Sequence, residues 1–329
     1  LLVPAKKGGY TAPVKNLVRV GIILFALLSV LALSMSLTLV RRLYLRGSEP
    51  PEPGPAYHFA LYLPDNRDSF FLRIIQGAQQ AAEEAGAVLS FHSIDPDKNE
   101  LAMASYSGVD GVVVCPYIDD NLALVQLEKL AARKIPLVLI NHNIPSDQPW
   151  FYIGTNSFDI GRRMGAVVAS TAPTPLRLAV VYSDKSPGIL GERELVEMGI
   201  TAVLEGNLAA PIAGLRTGLN PLDAEELIYR LFRTDTKINT IVFTDAADTI
   251  AAAQALIDMN LVGRVQLIGF GKEPAILEYI RKGILVGSVA VNPERIGYEA
   301  IRSLTELYTT GYTSTSVDTG VEIVDRSSL

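Results

Sequence analysis

Cysteine is almost absent. Of 329 residues only Cys115 carries a thiol, which excludes an internal disulfide and any metal site built from several thiolates. Histidine is nearly as scarce: His58, His92 and His142 stand on separate segments, and no pair has metal-ligand spacing. The GxxxxGK[ST] phosphate loop and the GxSxG nucleophile elbow are both missing, and Gly269-Phe270-Gly271-Lys272 reads as a strand end and turn. An enzyme is therefore not expected, nor a metal or other cofactor. Charge is thin as well, at 19% of residues against 49% apolar, so a membrane segment is the first thing to look for.

The charge that exists is unevenly spread. The chain holds 29 Lys/Arg and 35 Asp/Glu, of which seven and one fall in the first 50 residues; the remainder carries 22 against 34, a net −12. Such a body is repelled by a phosphate backbone, which argues against nucleic acid as a partner.

Residues 20–40 run without a charge, from Val20 to Val40, and basic residues stand on both sides. As a helix this stretch spans roughly 31 Å, close to the hydrocarbon thickness of a bilayer. A cleaved signal peptide is the competing reading, with weak small-residue sites around Ala32 to Ser36. Its apolar region is usually only about 7–15 residues, and here the run continues to Arg41-Arg42, so an uncleaved anchor is favoured. Lys6, Lys7, Lys15 and Arg19 precede the span against Arg41, Arg42 and Arg46 after it, a small bias towards the N-terminus inside. Residues 1–19 are thus read as a cytoplasmic N-terminus and 20–40 as a single-pass anchor. Residues 41–56, with four prolines at Pro50, Pro51, Pro53 and Pro55, read as a proline-rich linker biased to extended polyproline II.

From Tyr57 the sequence alternates. Strand 59–63 leads through a polar loop into an amphipathic helix over 70–85, the opening of a βαβ unit whose ligand-facing side lies beyond the strand's carboxyl end. Strand 87–93, helix 98–107, strand 111–115, helix 120–133, strands 136–140 and 151–154 and helix 157–170 follow. Uninterrupted apolar runs such as Gly111-Val112-Val113-Val114 are expected of parallel strands buried on both faces. The alternation then restarts with strand 176–182, helices 188–204 and 223–233, strand 240–243, helix 246–259, strand 265–270, helix 274–282, strand 285–291 and helix 293–310. Strand 319–324 closes the chain. Two βα series predict an α/β protein of two doubly wound lobes.

The order of motifs resembles that of the type 1 periplasmic sugar-binding proteins, the ribose- and galactose-binding class related to the ligand-binding domain of the lactose repressor. Asp68-Ser69-Phe70-Phe71 with Gly77-Ala78, Val109 to Val114 before Pro116, Ile153-Gly154-Thr155-Asn156 with Gly161, Ile268-Gly269-Phe270, and Asn292 to Gly297 carry the likeness over about residues 57–325. It implies two lobes joined by three crossings, near Asn156, Asn292 and Thr319, that close on a ligand by hinge motion. Residues 57–156 with 293–318 would form lobe 1, and 157–292 with 319–329 lobe 2. The implied partners are a sugar-like small molecule and, at the membrane, an ABC permease or a sensor kinase.

Carried over position by position, the resemblance implies ligand contacts at Asp68, Phe70, Phe71, Asn141, His142, Asp245 and Asn292. Five of them have a plainer reading beside this one. Asp68 and Asp245 suit helix N-caps, Phe70 and Phe71 suit a core cap, and His142 suits a loop ahead of Pro145. Four positions depart from the family's contact set: Gly271, Val291, Val196 and Cys115 stand where it has polar contacts, and Cys115 reads as a small buried residue. A sugar held in the usual way would leave buried hydroxyls unpaired, at roughly 1–3 kcal/mol each. The ligand is then less hydroxylated, or the site is rebuilt, or it has decayed. Two other functional classes stay open: a ligand-free interaction scaffold of the same fold, and a lactose-repressor-type regulator, which lacks its helix-turn-helix here.

Overall fold

The computed structural model describes residues 12–46, 57–64, 69–94, 100–116, 119–144, 146, 150–171, 173–220, 222–234 and 237–329. It divides into an N-terminal unit, residues 1–54, and a folded body, residues 55–329. In the first unit the chain forms one helix, α1 (Ala12–Arg46). Its segment Arg19–Arg41 has a mean hydropathy of 2.5 and buries none of its surface; it is long and apolar enough to cross a membrane. The helix continues through Arg46, into the stretch read as linker, because Leu43, Leu45 and the arginines around them are good helix formers. Residues 47–56 lie outside the described ones.

The body begins with β1 (His58–Pro64), α2 (Ser69–Ala85), β2 (Val88–Ile94), α3 (Glu100–Ala104), β3 (Gly111–Val114), α4 (Asp120–Ala132), β4 (Leu137–Ile140) and β5 (Phe151–Gly154). Then come α5 (Ser157–Thr171), β6 (Leu178–Ser183), α6 (Pro187–Gly191), α7 (Arg193–Leu204), β7 (Ala213–Thr217), α8 (Asp223–Arg233), β8 (Thr240–Phe243) and α9 (Ala246–Asp258). The last elements are β9 (Gln266–Phe270), α10 (Pro274–Lys282), β10 (Gly287–Val291), α11 (Pro293–Thr310), β11 (Ser316–Asp318) and β12 (Val321–Asp325).

Two six-stranded sheets result. One has the order β11-β5-β4-β3-β1-β2 and is parallel throughout; the other runs β12-β10-β9-β8-β6-β7 and is parallel except for β12. This is the two-lobed α/β architecture. β3, β4, β6 and β8 are buried at every residue, which is why their sequences are continuous apolar runs rather than alternating ones. The chain passes between the sheets after β5, at Asn292 and between β11 and β12. Two of these crossings are tied together: Thr319 donates its N–H (2.8 Å) and its hydroxyl (3.0 Å) to the Gly154 carbonyl, and its hydroxyl also lies 3.1 Å from that of Thr155.

Each sheet carries one tightly apposed helix pair. In the first, α2 meets α11 so closely that a β-carbon on Gly77 would stand 1.9 Å from the Glu294 carbonyl oxygen, and one on Gly297 would stand 1.9 Å from that of Ile74. In the second, α5 meets α7 through Gly161, 2.1 Å from the Val196 oxygen, and Gly199, 2.2 Å from that of Phe158. Each helix presents a glycine to the other's backbone.

Several elements differ from those expected. The helix predicted over 188–204 is broken at Glu192 into α6 and α7, and Gly188 and Gly191 of α6 lie against Asn141 and His142 of the other lobe. Helix 98–107 reduces to Glu100–Ala104 within the described residues, and Gly108 (φ 69) follows its terminal turns. β7 is a partly exposed edge strand with no apolar run to announce it. The closing strand expected over 319–324 is β12 (Val321–Asp325), and a short strand that was not expected, β11, precedes it in the other sheet.

Gly77→Ala and Gly297→Ala should each lower the unfolding free energy of the body by at least about 1–3 kcal/mol, measured by chemical denaturation. A change below 0.5 kcal/mol in either variant would show that α2 and α11 are not packed backbone to backbone.

Candidate functional site

The carboxyl ends of β1, β4, β5, β6, β8 and β9 all open on one cleft between the lobes, the position where open parallel sheets hold ligands. With its solvent-open mouth the cleft amounts to about 850 Å³. From the first lobe come Phe70, Phe71, Asn141 and Thr155; from the second come Ser186, Asp245, Phe270 and Glu273.

The aromatic wall is built by the first turn of α2. Phe70 and Phe71 stand edge to face, with centroids 5.3 Å apart and planes at 87°. Phe71 is 2% exposed and belongs to the core of the first lobe. Phe70 is only partly buried and packs on that core, so it has the larger face available to a ligand. Asp68 lies outside the described residues.

Asn141 follows β4 with a left-handed backbone (φ 63). Its side chain hydrogen-bonds the Cys115 thiol, and burial pushes that thiol up from 9.0 to about 12. His142 does not line the cleft. Its Nε2 lies 2.8 Å from Asp120 Oδ1, its Nδ1 is buried without a partner, and its ring abuts Gly191 of α6. Asn292 is not among the cleft-lining residues either, since its Oδ1 accepts from the N–H of Arg295 at 3.0 Å and caps α11. At this corner the lobes touch: a β-carbon on Gly188 would stand 2.2 Å from the Asn141 carbonyl oxygen.

Asp245 combines the two readings open to it. It caps α9, its Oδ1 accepting from the N–H of Asp248 (3.0 Å), and it lines the cleft at 5% exposure with Ser186 Oγ donating to Oδ2 (3.2 Å). Beneath it, Lys185 donates to Asp248 Oδ1 (2.8 Å) and to the Gly218 carbonyl (2.7 Å), while Thr217 Oγ1 donates to Asp248 Oδ2 (2.5 Å). The Lys185 and Asp248 side chains are 9% and 1% exposed. Breaking such a buried pair from one side costs about 3–5 kcal/mol. The other cations at the cleft are paired as well, Arg73 with Glu294 at 3.1 Å and Lys272 with Glu322.

Lys185, Ser186 and Glu273 did not stand out in the sequence. The usable signal was position alone, since each follows the carboxyl end of a strand (β6 or β9). Among the described residues no group of three or more His, Cys, Asp or Glu is arranged to hold a metal ion.

The periplasmic binding protein domain matches residues 59–311 of this chain. Solved structures of the same fold include a glucose-galactose binding protein from Geobacillus stearothermophilus, 20% identical, with a TM-score of 0.73 over 83% of this chain and 99% of that one. A carbohydrate transporter solute-binding protein from Agrobacterium radiobacter in complex with D-arabinose is 18% identical, with a TM-score of 0.71 over 82% and 95%. An ABC transporter periplasmic solute-binding protein from Actinobacillus succinogenes with bound D-allose is 17% identical, with a TM-score of 0.71 over 83% and 98%. No curated protein sequence matches.

Native Cys115 should resist iodoacetamide at about pH 8 and react once the chain is unfolded, since the thiolate is the reactive form. Because the thiol's pKa is raised on folding from 9.0 to about 12, its contribution to stability is complete below pH 9 and is lost as the pH rises from 9 towards 12. Rapid labelling of the folded protein would contradict this placement.

Proposed function

The chain belongs to the periplasmic binding protein family, and from that premise we propose that it is a membrane-held, extracytoplasmic binding protein for a sugar or sugar-like ligand. The observation that carries the reading is the cleft itself. It sets an aromatic pair on one wall against hydrogen-bonding groups on the other, at the carboxyl ends of six parallel strands. Sugars present an apolar C–H face and a hydroxylated edge, which such a pair of walls complements. Residues 57–156 with 293–318 act as one lobe and 157–292 with 319–329 as the other, closing about the crossings. Phe70, Phe71, Asn141 and Asp245 contact the ligand, and Asp68 is kept as a contact on the sequence alone. His142 and Asn292 act at one remove, holding the loop at Asn141 and the start of α11.

α1 serves as a single-pass anchor, and the closed form is recognised by a membrane partner, an ABC permease or a sensor kinase. Permanent tethering favours sensing, because a receptor that delivers solute to permeases gains from diffusing between them. A ligand-free scaffold of the same fold is the alternative. It has less support, because a scaffold has no use for the polar groups gathered in this cleft.

Thermal melts of the full chain in detergent, with D-ribose, D-arabinose, D-xylose, D-glucose, D-galactose and D-allose at millimolar concentration, test the reading. A ligand that binds only the folded state raises the melting temperature. Phe70→Ala should weaken the binding of any sugar that does so by about tenfold, whereas Phe71→Ala should also destabilise the first lobe, by about 3–5 kcal/mol. If no sugar moves the wild-type melt, the scaffold reading takes over.

The anchor is tested separately. The full chain should stay in the membrane fraction through a carbonate wash, and deletion of residues 20–40 should release it. A soluble, shortened mature form would identify the segment as a cleaved signal.

A further inference from the structure

Glu273 occupies the N-cap position of α10 but does not cap that helix. Its side chain turns back the other way. A β-carbon built on Gly271 would stand 2.2 Å from Glu273 Oε2 and 2.9 Å from the β-carbon of Ala246, so the carboxylate fills the space that any side chain at 271 would take. Gly271 itself is held in place: it has φ 92, its N–H donates to the Val289 carbonyl at 2.9 Å, and its own carbonyl accepts from Ser288 Oγ at 2.6 Å. The Glu273 carboxylate thereby reaches the residue next to Asp245, on the second-lobe wall of the cleft that both residues line. Oε2 is buried and has no hydrogen-bond partner. A buried carboxylate oxygen with no donor is an expensive group to keep.

Resting on the sugar reading above, we propose that Glu273 is a specificity-determining residue of this cleft and that its carboxylate accepts a hydroxyl of the bound sugar. Position 271 offers no side chain, and Glu273 brings a carboxylate into the same space from two residues further along. Asp245 and Glu273 then stand as neighbouring acceptors from two different loops, one after β8 and one after β9. Paired acceptors suit vicinal hydroxyls of a neutral polyol. An anionic ligand group at this end of the cleft is disfavoured by the two carboxylates.

The test is calorimetric titration of the full chain in detergent with the six sugars named above, using wild type and Glu273→Gln. The variant keeps the shape and removes the charged acceptor. For a sugar that binds wild type, the Kd should rise about tenfold or more in the variant, while the melting temperature without sugar does not fall. Monodeoxy analogues of that sugar supply the second readout. The analogue lacking the hydroxyl held by Glu273 should lose affinity for wild type and lose nothing further in the variant. An unchanged Kd in Glu273→Gln overturns the assignment while leaving sugar binding intact. So does a fall in the sugar-free melting temperature with losses that add independently for every deoxy analogue, which marks a structural role. If no sugar binds wild type, the sugar reading fails and this assignment falls with it.

Discussion

In each lobe two helices approach until the carbonyl oxygen of one lies where a β-carbon of the other would be, and the cleft depends on this contact. α2 and α11 are joined through Gly77 and Gly297, α5 and α7 through Gly161 and Gly199. The consequence for the site lies at the helices' amino ends. The first turn of α2 carries Phe70 and Phe71, α11 follows the crossing at Asn292, and α5 follows the crossing at Asn156, so fixing the pairs fixes the edges of the cleft and two of the crossings between the lobes. Any larger residue at one of these four positions pushes a helix outward, and the displacement is felt where that helix starts.

The polar character of the cleft follows from how its charges are spent. Arg73, Lys185 and Lys272 all reach it, and each is paired with a carboxylate of the protein. For Lys185 the pairing is buried and also draws in Thr217 and the Gly218 carbonyl, so it serves to hold the loop after β6 against α9 and not to attract an anion. What the second lobe presents to a ligand is therefore weighted towards acceptors, at Asp245 and Glu273. A neutral molecule rich in hydroxyl donors meets that surface without bringing in charge that must be desolvated.

The fold was largely legible because its signals are strong ones. Continuous apolar runs such as Val112 to Val114 and Ile241 to Phe243 mark doubly buried strands, and they alternate with amphipathic helices in a known order of motifs. The elements that escaped carry no such pattern. β7 is a partly exposed edge strand, β11 is three residues long, and α6 is a five-residue helix separated from α7 at Glu192. The site was legible only in part. Phe70, Phe71, Asn141 and Asp245 converge on one cleft because they all follow strand ends in a topology that the sequence pattern implies. The turning of His142 towards Asp120, and the use of Asn292 as a cap, depend on side-chain directions that spacing does not encode. Glu273 was overlooked for the same reason, since its place in the cleft comes from folding back over a glycine.

Departures from the family's contact set, at Gly271, Val291, Val196 and Cys115, are open to a reading as decay, but the structure favours reconstruction. Val196 and Cys115 are buried at 0% exposure within the cores of their lobes, and Cys115 is bonded to Asn141, so neither position has been left ragged. At Gly271 the missing side chain has not left a void, since the Glu273 carboxylate stands in it. A site losing its ligand has no reason to keep an unpartnered carboxylate oxygen buried in its wall, because protein stability gains from removing such a group. Retaining it is understandable if a ligand hydroxyl completes it. Asp245 lies on the same wall, one carboxylate oxygen capping α9 and the other accepting from Ser186. At position 271 the polar group has moved rather than disappeared, in keeping with the ligand of altered hydroxyl pattern proposed above.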